Sequence, residues 1–318
     1  MNNPSVLCFG ELLIDMISTT TGDLSQSEGF LKKFGGAPAN TAAGLARLGT
    51  SVYFAGKVGN DPFGRFLKNT LDKNGVNTSE LILANDSKTT LAFVSLGKNG
   101  QRDFIFYKGA HDQISKDEVD IPKGVKILHF GSLTQINKPS SEATDKLINQ
   151  ARKAKIVISY DPNIRPSLWI DLKKAKDIIL KTTKKVDILK LNDEEAKFLS
   201  GIKNIEEAAN KLYLSNLDAI IITLGKNGCF YKTSKLSGFI PTIKIKPVDT
   251  TGAGDAFNAG YLSLIINSGK NLSQMSKNEL ENGLKKANII SSLTTLKKGA
   301  ISAFPSETEL LEAAKKYL

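Results

Sequence analysis

The 318-residue chain predicts an α/β protein of the doubly wound, three-layer αβα kind: a mostly parallel sheet with helices on both faces, plus one small separate β-sheet. Three observations carry that expectation. Short apolar runs rich in β-branched residues alternate with helix-period segments through most of the chain, as parallel sheets require, because each strand returns through a crossover helix. Two stretches, 12–34 and 88–108, instead carry strand-like alternation without a helical period. The length suits one large domain spanning 1–318, and neither an internal repeat nor a Pro/Ser linker divides it.

The first strand is expected at 6–9, a short apolar run of the kind buried on both faces. Residues 12–34 supply the first part of the small sheet. A helix follows at 38–48, where Pro38 suits a first turn, Gly49 a C-terminal stop, and Leu45 and Leu48 the core side. Strand 52–55 and helix 62–74 come next. The second part of the small sheet falls at 88–108, where Thr90, Ala92 and Val94 alternate with Leu91, Phe93 and Ser95. Asn99-Gly100 between two such runs marks a hairpin. Strands at 127–130, 156–160, 188–191 and 219–224 then alternate with helical segments at 140–153, 171–182 and 193–214. Further strand-like runs lie at 229–232 and 242–248, and the C-terminal third turns helical at 253–268, 278–293 and 306–316.

Composition removes several function classes. With 41% hydrophobic and 24% charged residues the chain is globular, neither disordered nor fibrous. No apolar run approaches the roughly 18 residues of a membrane-spanning helix. Glu11 and Asp15 interrupt the early apolar stretch, and no basic residue precedes it, so no signal peptide is expected. Cys8 and Cys229, far apart, make no disulfide framework, and with His111 and His129 they match no standard zinc spacing. A reducing, cytoplasmic setting follows. The net charge of +11 raises nucleic acid or an anionic substrate. The basic residues are dispersed lysines, however, and the densest group, Lys173 to Lys185, reads as a solvated helix face. Neither a nucleic-acid nor a membrane partner is expected.

The chemistry concentrates in Asp249-Thr-Thr-Gly-Ala-Gly-Asp255-Ala-Phe257. A glycine-rich turn feeding a helix leaves unpaired N–H groups converging on one point with the helix dipole behind them, which binds anions. Asp255 in that first turn can take a proton from a substrate hydroxyl as the hydroxyl attacks a phosphoryl group. An ordinary glycine turn with a capping aspartate is the plain alternative. No Gly-x4-Gly-Lys-Ser/Thr stretch exists, and no Gly-x-Gly-x-x-Gly follows the first strand, which excludes a P-loop and counts against a dinucleotide fold. In a second segment, Gly35-Gly36-Ala-Pro-Ala-Asn40, the glycine pair permits close approach to a ligand, and Asn40 offers both donor and acceptor to sugar hydroxyls.

Four further positions fall where sheet-end ligand sites lie. Asp15 could accept hydrogen bonds from vicinal hydroxyls, or simply sit in a surface turn. Asp161-Pro-Asn-Ile-Arg165 follows a strand, and Arg165 could steady a phosphoryl group or pair with a neighbouring acid. Asn192 and Glu195 open a helix at a strand end and could touch a triphosphate, Mg²⁺ or its waters, or be a helix cap. Thr223, Gly225 and Gly228 could line a nucleotide or make a tight turn. Asp161, Asn192 and Thr223 close successive strands, and together they favour a phosphoryl-transfer site.

With these residues assembled, the chain resembles the ribokinase family of sugar kinases, also called the PfkB family, essentially end to end. Both family signatures are present, at 35–49 and 249–257, and Val58-Gly-Asn-Asp-Pro-Phe-Gly64 and Gly299-Ala300 also match. Within the family, the stretches at 10–15, 35–40 and 161–169 look most like fructokinases, whereas ribokinases carry Lys-Gly at Ala37-Pro38. Gly109-Ala-His-Asp112 departs from the pattern, which has a proline and an Ala-Asp pair there. The resemblance implies a ribokinase-like fold whose small sheet, roughly 12–34 and 88–110, is a lid, and transfer of the ATP γ-phosphoryl to the 6-hydroxyl of fructose. By that resemblance Asp255 is the base, and Gly252, Ala253 and Gly254 form the anion hole. Asp15, Gly35, Gly36, Asn40 and Arg165 hold sugar. Asn192, Thr223, Gly225, Gly228 and Asn288 lie along ATP, and Glu195 influences Mg²⁺. Asp249 and Thr251 bind a monovalent cation, K⁺, and the lid pairs two subunits in a homodimer. Ribokinase, 2-keto-3-deoxygluconate kinase and nucleoside kinase are the alternatives inside the family. A non-catalytic kinase-like binding protein lies outside it, and the intact Gly252-Ala-Gly-Asp255 argues against that reading.

Overall fold

The computed structural model describes residues 5–96 and 102–317. The chain begins with β1 (Ser5–Phe9), β2 (Leu13–Thr21), β3 (Phe30–Gly35), α1 (Ala37–Arg47), β4 (Ser51–Gly59), α2 (Pro62–Lys73), β5 (Leu81–Ala84), β6 (Leu91–Leu96) and β7 (Arg102–Tyr107). Next come β8 (Val125–Phe130), α3 (Ser140–Ala154), β9 (Val157–Tyr160), α4 (Leu172–Thr183), β10 (Ile188–Asn192), α5 (Asp193–Ser200), α6 (Ile205–Leu212) and β11 (Ala219–Thr223). It closes with β12 (Cys229–Thr233), β13 (Ser237–Ile240), α7 (Ala253–Ser268), α8 (Lys277–Thr294) and α9 (Glu307–Tyr317).

One sheet runs in the order β13-β12-β11-β10-β9-β8-β1-β4-β5. It is parallel from β11 to β5, and β12 and β13 add antiparallel pairs at one edge. Its strands are apolar on both faces because both faces are covered. Val6, Cys8, Ile127, Ile188 and Ile221 point into a core closed by α1, α2, α7 and α8. Leu7, Phe9, Leu128, Leu189 and Ile220 point into a second core closed by α3, α4, α5 and α6. Alternate residues of one strand thus feed opposite layers, which is the αβα arrangement the alternation predicts.

The second sheet, in the order β3-β2-β6-β7, draws its strands from the two stretches whose alternation differs from the rest. Asp15, Ala92 and Phe106 lie opposite one another across β2, β6 and β7, so they share one face. The Asn99-Gly100 hairpin lies outside the described residues.

Two expectations need correction. The segment 193–214 is two helices, α5 and α6: Gly201 ends the first in the left-handed conformation, φ 75°, and Asn204 caps the second by accepting from the Glu207 N–H. Residues 242–248 form no strand; Pro241 and Pro247 lack the N–H a ladder needs. The four-residue strands β5 and β13 lie at the two edges of the main sheet and are additional to the expected elements. Among the described residues no helix is long and apolar enough to cross a membrane.

Candidate active site

Asp161 follows β9, Asn192 ends β10 and Thr223 ends β11, on three neighbouring strands. Asn192 and Thr223 stand opposite each other. Over these strand ends opens a cleft of about 570 Å³. One wall is the second sheet, through Leu13, Asp15, Ala92, Phe104 and Phe106; the other is the main body. The carboxyl ends of parallel strands therefore carry the site, as open α/β sheets do.

The floor of the cleft is the start of α7. Gly252 caps that helix in the left-handed conformation, φ 77°, and a Cβ there would stand 2.7 Å from the Ala300 Cβ. Both the backbone angle and the space demand glycine. Gly252 and Gly254 line the cleft. Ala253 does not, and its N–H donates to the Thr250 carbonyl at 3.2 Å. Of the three N–H groups expected to form an anion hole, that of Ala253 is thus already engaged within the turn.

Asp255, in the first turn of α7, is 7% exposed. Its Oδ2 accepts from Asn40 Nδ2 at 2.8 Å, which joins the two glycine-rich segments across the fold. Burial pushes its carboxyl up to about 6; the Asn40 hydrogen bond, Lys190 and Arg165 hold it down, and Asp161 adds to the rise. A reaction in which Asp255 accepts a proton should then lose rate below that value. Log kcat/KM should fall with unit slope on the acid side of about pH 6 and level off above it. A limb near pH 4, the range of an ordinary aspartate, would contradict the burial argument.

Three residues that pattern reading passes over complete the site. Lys190, inside β10, is buried and places Nζ 2.8 Å from Asp161 Oδ2. Asn258 of α7 donates to the same oxygen at 2.7 Å. Burial favours the neutral amine, but the carboxylates of Asp161 and Glu195 outweigh it and hold Lys190 above its usual range. A Cβ added to Gly254 would stand 3.2 Å from Nζ, so the ammonium adjoins the helix terminus. Two positive ends converge there, a geometry that suits an anion between them. Glu11 is the third: its Oε1 accepts from the Ala37 N–H at 2.9 Å and so caps α1. Burial lifts its carboxyl to about 7. A charged residue within an apolar strand was the available signal for Lys190; Glu11 gave none beyond its place after β1.

The other expected residues are distributed as follows. Asp15 and Arg165 line the cleft; burial raises Asp15 to about 7 and the Arg165 guanidinium counters it. Gly35 lies behind Asp15, where a Cβ would come within 2.4 Å of Oδ2, and Gly36 lines the cleft. Asn192 Oδ1 accepts from the Glu195 N–H, and Glu195 Oε2 accepts from the Asn192 N–H, both at 2.8 Å. Glu195 Oε1 accepts from Ile164 N–H at 2.7 Å. Each oxygen of Glu195 thus accepts one backbone N–H and keeps a further lone pair, so the carboxylate could meet Mg²⁺ only by accepting from the ion's waters. Thr223 and Gly225 line the cleft. Gly228, φ 92°, brings the chain against the Ile240 carbonyl. Asn288 is buried and donates to Ile240 O at 3.1 Å. Neither borders the cleft. Asp249 accepts from Thr251 N–H, Thr251 Oγ1 and Gly299 N–H, which fastens the turn before α7. Thr251 lines the cleft, and these oxygens suit a hard monovalent ion.

Residues 3–307 match the model of the pfkB family carbohydrate kinases. The chain is 40% identical over 320 residues to probable fructokinase-2 of Arabidopsis thaliana, covering 99% of this chain and 97% of that one. Among solved structures, it superposes on fructokinase from Vibrio cholerae O395 bound to fructose, ADP and calcium with TM-score 0.86 and 30% identity, covering 97% and 98% of the two chains. The ATP-bound fructokinase from Xylella fastidiosa gives TM-score 0.89 at 29% identity, with 98% of each chain covered.

Proposed function

The chain belongs to the pfkB family of carbohydrate kinases, and from that premise we propose that it is an ATP-dependent fructokinase that makes fructose 6-phosphate. The observation that carries the chemistry is Asp255, buried and steered by Asn40 at the mouth of the α7 terminus. As the 6-hydroxyl oxygen bonds to the γ-phosphorus, its proton passes to Asp255 and the bond to the ADP oxygen breaks. The α7 terminus at Gly252 and Gly254, together with Lys190, meets the charge on the transferring group. Mg²⁺, when bound with ATP, would neutralise phosphate charge, with Glu195 acting on its waters; a K⁺ ion held by Asp249 and the Thr251 turn would stiffen the terminus. Asn192, Thr223 and Gly225 border the length of cleft left for the triphosphate.

The sugar sits between Asp15, Gly36, Asn40 and Arg165, under the second sheet acting as lid, which keeps water from the phosphoryl group. Leu31, Ile105 and Tyr107 are exposed on that sheet, which fits a homodimer paired through it. Both cysteines are free and buried, as suits a cytoplasmic protein.

6-Deoxyfructose tests the assigned nucleophile. It should inhibit competitively against fructose and release no ADP above the sugar-free rate; turnover comparable to fructose would overturn the reading. Arg165→Ala should cut kcat/KM for fructose by about tenfold to a hundredfold, less than loss of the base. Steady-state kinetics with unchanged constants would remove Arg165 from the site.

A further inference from the structure

His111 is a buried histidine that the proposed reaction does not use, and its surroundings give it work. It is 2% exposed in a short helical turn, Ala110–Gln113, directly after β7. Its Nδ1 lies 2.6 Å from Thr90 Oγ1, and the Gly109 N–H donates to the same hydroxyl at 3.0 Å. The imidazole and the Gly109 N–H thus meet on one hydroxyl, whose two lone pairs and single hydrogen serve either tautomer of the ring. Burial, helped by Lys108, lowers the imidazole to about 3, so the ring stays neutral. Thr90 immediately precedes β6 and Gly109 follows β7. The Ala110 N–H also donates to the Lys88 carbonyl at 2.8 Å. These bonds clamp the base of the β6–β7 pair.

The clamp reaches the cleft through one ring. Phe106 meets the His111 imidazole edge to face, with centroids 5.5 Å apart and planes at 87°, and it stacks on Phe104 at 5.9 Å. Both phenylalanines line the cleft, and Phe106 shares its sheet face with Asp15. We propose that His111 is a positioning residue for sugar selectivity: pinned by Thr90, it fixes the Phe104/Phe106 wall against the apolar C–H face of the substrate. The proposal rests on the sugar-kinase reading of this cleft.

The test compares His111→Ala, His111→Asn and Phe106→Leu with wild type, with KM for sugar and for ATP measured separately. His111→Ala leaves a void beneath Phe106 and should raise the sugar KM by about tenfold while the ATP KM stays within about twofold. Its preference for fructose over mannose should fall in step. His111→Asn, whose side-chain amide can meet the Thr90 hydroxyl as donor or acceptor, should recover most of the sugar KM, and Phe106→Leu should reproduce the His111→Ala split. If His111→Ala does not fold, Thr90→Val, which removes the hydroxyl at equal size, should show the same split. Equal changes in both KM values, or none, would overturn the proposal. The sugar that wild type turns over fastest serves throughout. Failure on fructose would therefore overturn the substrate reading, while the KM split still decides the role of His111.

Discussion

Asp255→Ala should lower kcat by about a thousandfold or more and leave ATP binding close to wild type. The side chain touches no part of the nucleotide in the proposed arrangement; it faces the sugar hydroxyl, with Asn40 on one oxygen. Removing it deletes the proton acceptor and leaves the helix terminus, Lys190 and the cleft in place. Binding and charge stabilisation survive while proton transfer does not, so the loss should fall on kcat with little change in nucleotide affinity. Turnover within threefold of wild type would remove Asp255 from the role of base. An ATP affinity that fell as far as kcat would mean the residue shapes the anion site instead.

Lys190→Met should have the second largest effect, and it separates two consequences. Asp161 would lose its partner at 2.8 Å while remaining buried, and an uncompensated buried charge costs about 3–5 kcal/mol. Catalysis should fall by about a hundredfold to a thousandfold, the scale of one donor removed from a charge-stabilising site. Adding Asp161→Asn to Lys190→Met removes the stranded charge. The double variant should regain most of the lost thermal stability and little of the lost kcat/KM. Recovery of activity together with stability would show that Lys190 only holds Asp161.

The contrast between these two residues shows where sequence reading reaches and where it stops. Asp255 announces itself because the turn before it is constrained: Gly252 is left-handed and packed against Ala300, so only glycine serves there. Asp161, Asn192 and Thr223 were legible as strand ends because two-sided burial writes parallel strands as short apolar runs. Lys190 lies inside such a run, and its partner is 29 residues away; only the pairing of β9 with β10 brings them together. The Asn40–Asp255 bond spans 215 residues, so each residue could be singled out but not their contact. The break between α5 and α6 is punctuated by Gly201 and Asn204, but an apolar period continuing through both helices masks it. The Ile and Lys alternation at 242–248 imitates a strand, but alternation cannot reveal whether a partner edge exists, and Pro241 ends the pairing after β13. The Phe106–His111 contact was equally out of reach, since a ring's neighbours depend on how the second sheet docks.

The most direct test of the central claim is ADP release from Mg-ATP with fructose, ribose and 2-keto-3-deoxygluconate side by side, potassium present and Asp255→Ala as control. The account predicts turnover dominated by fructose and abolished in the control. Dominant turnover of another sugar would contradict the substrate assignment, and absence of turnover on all three would contradict the enzyme.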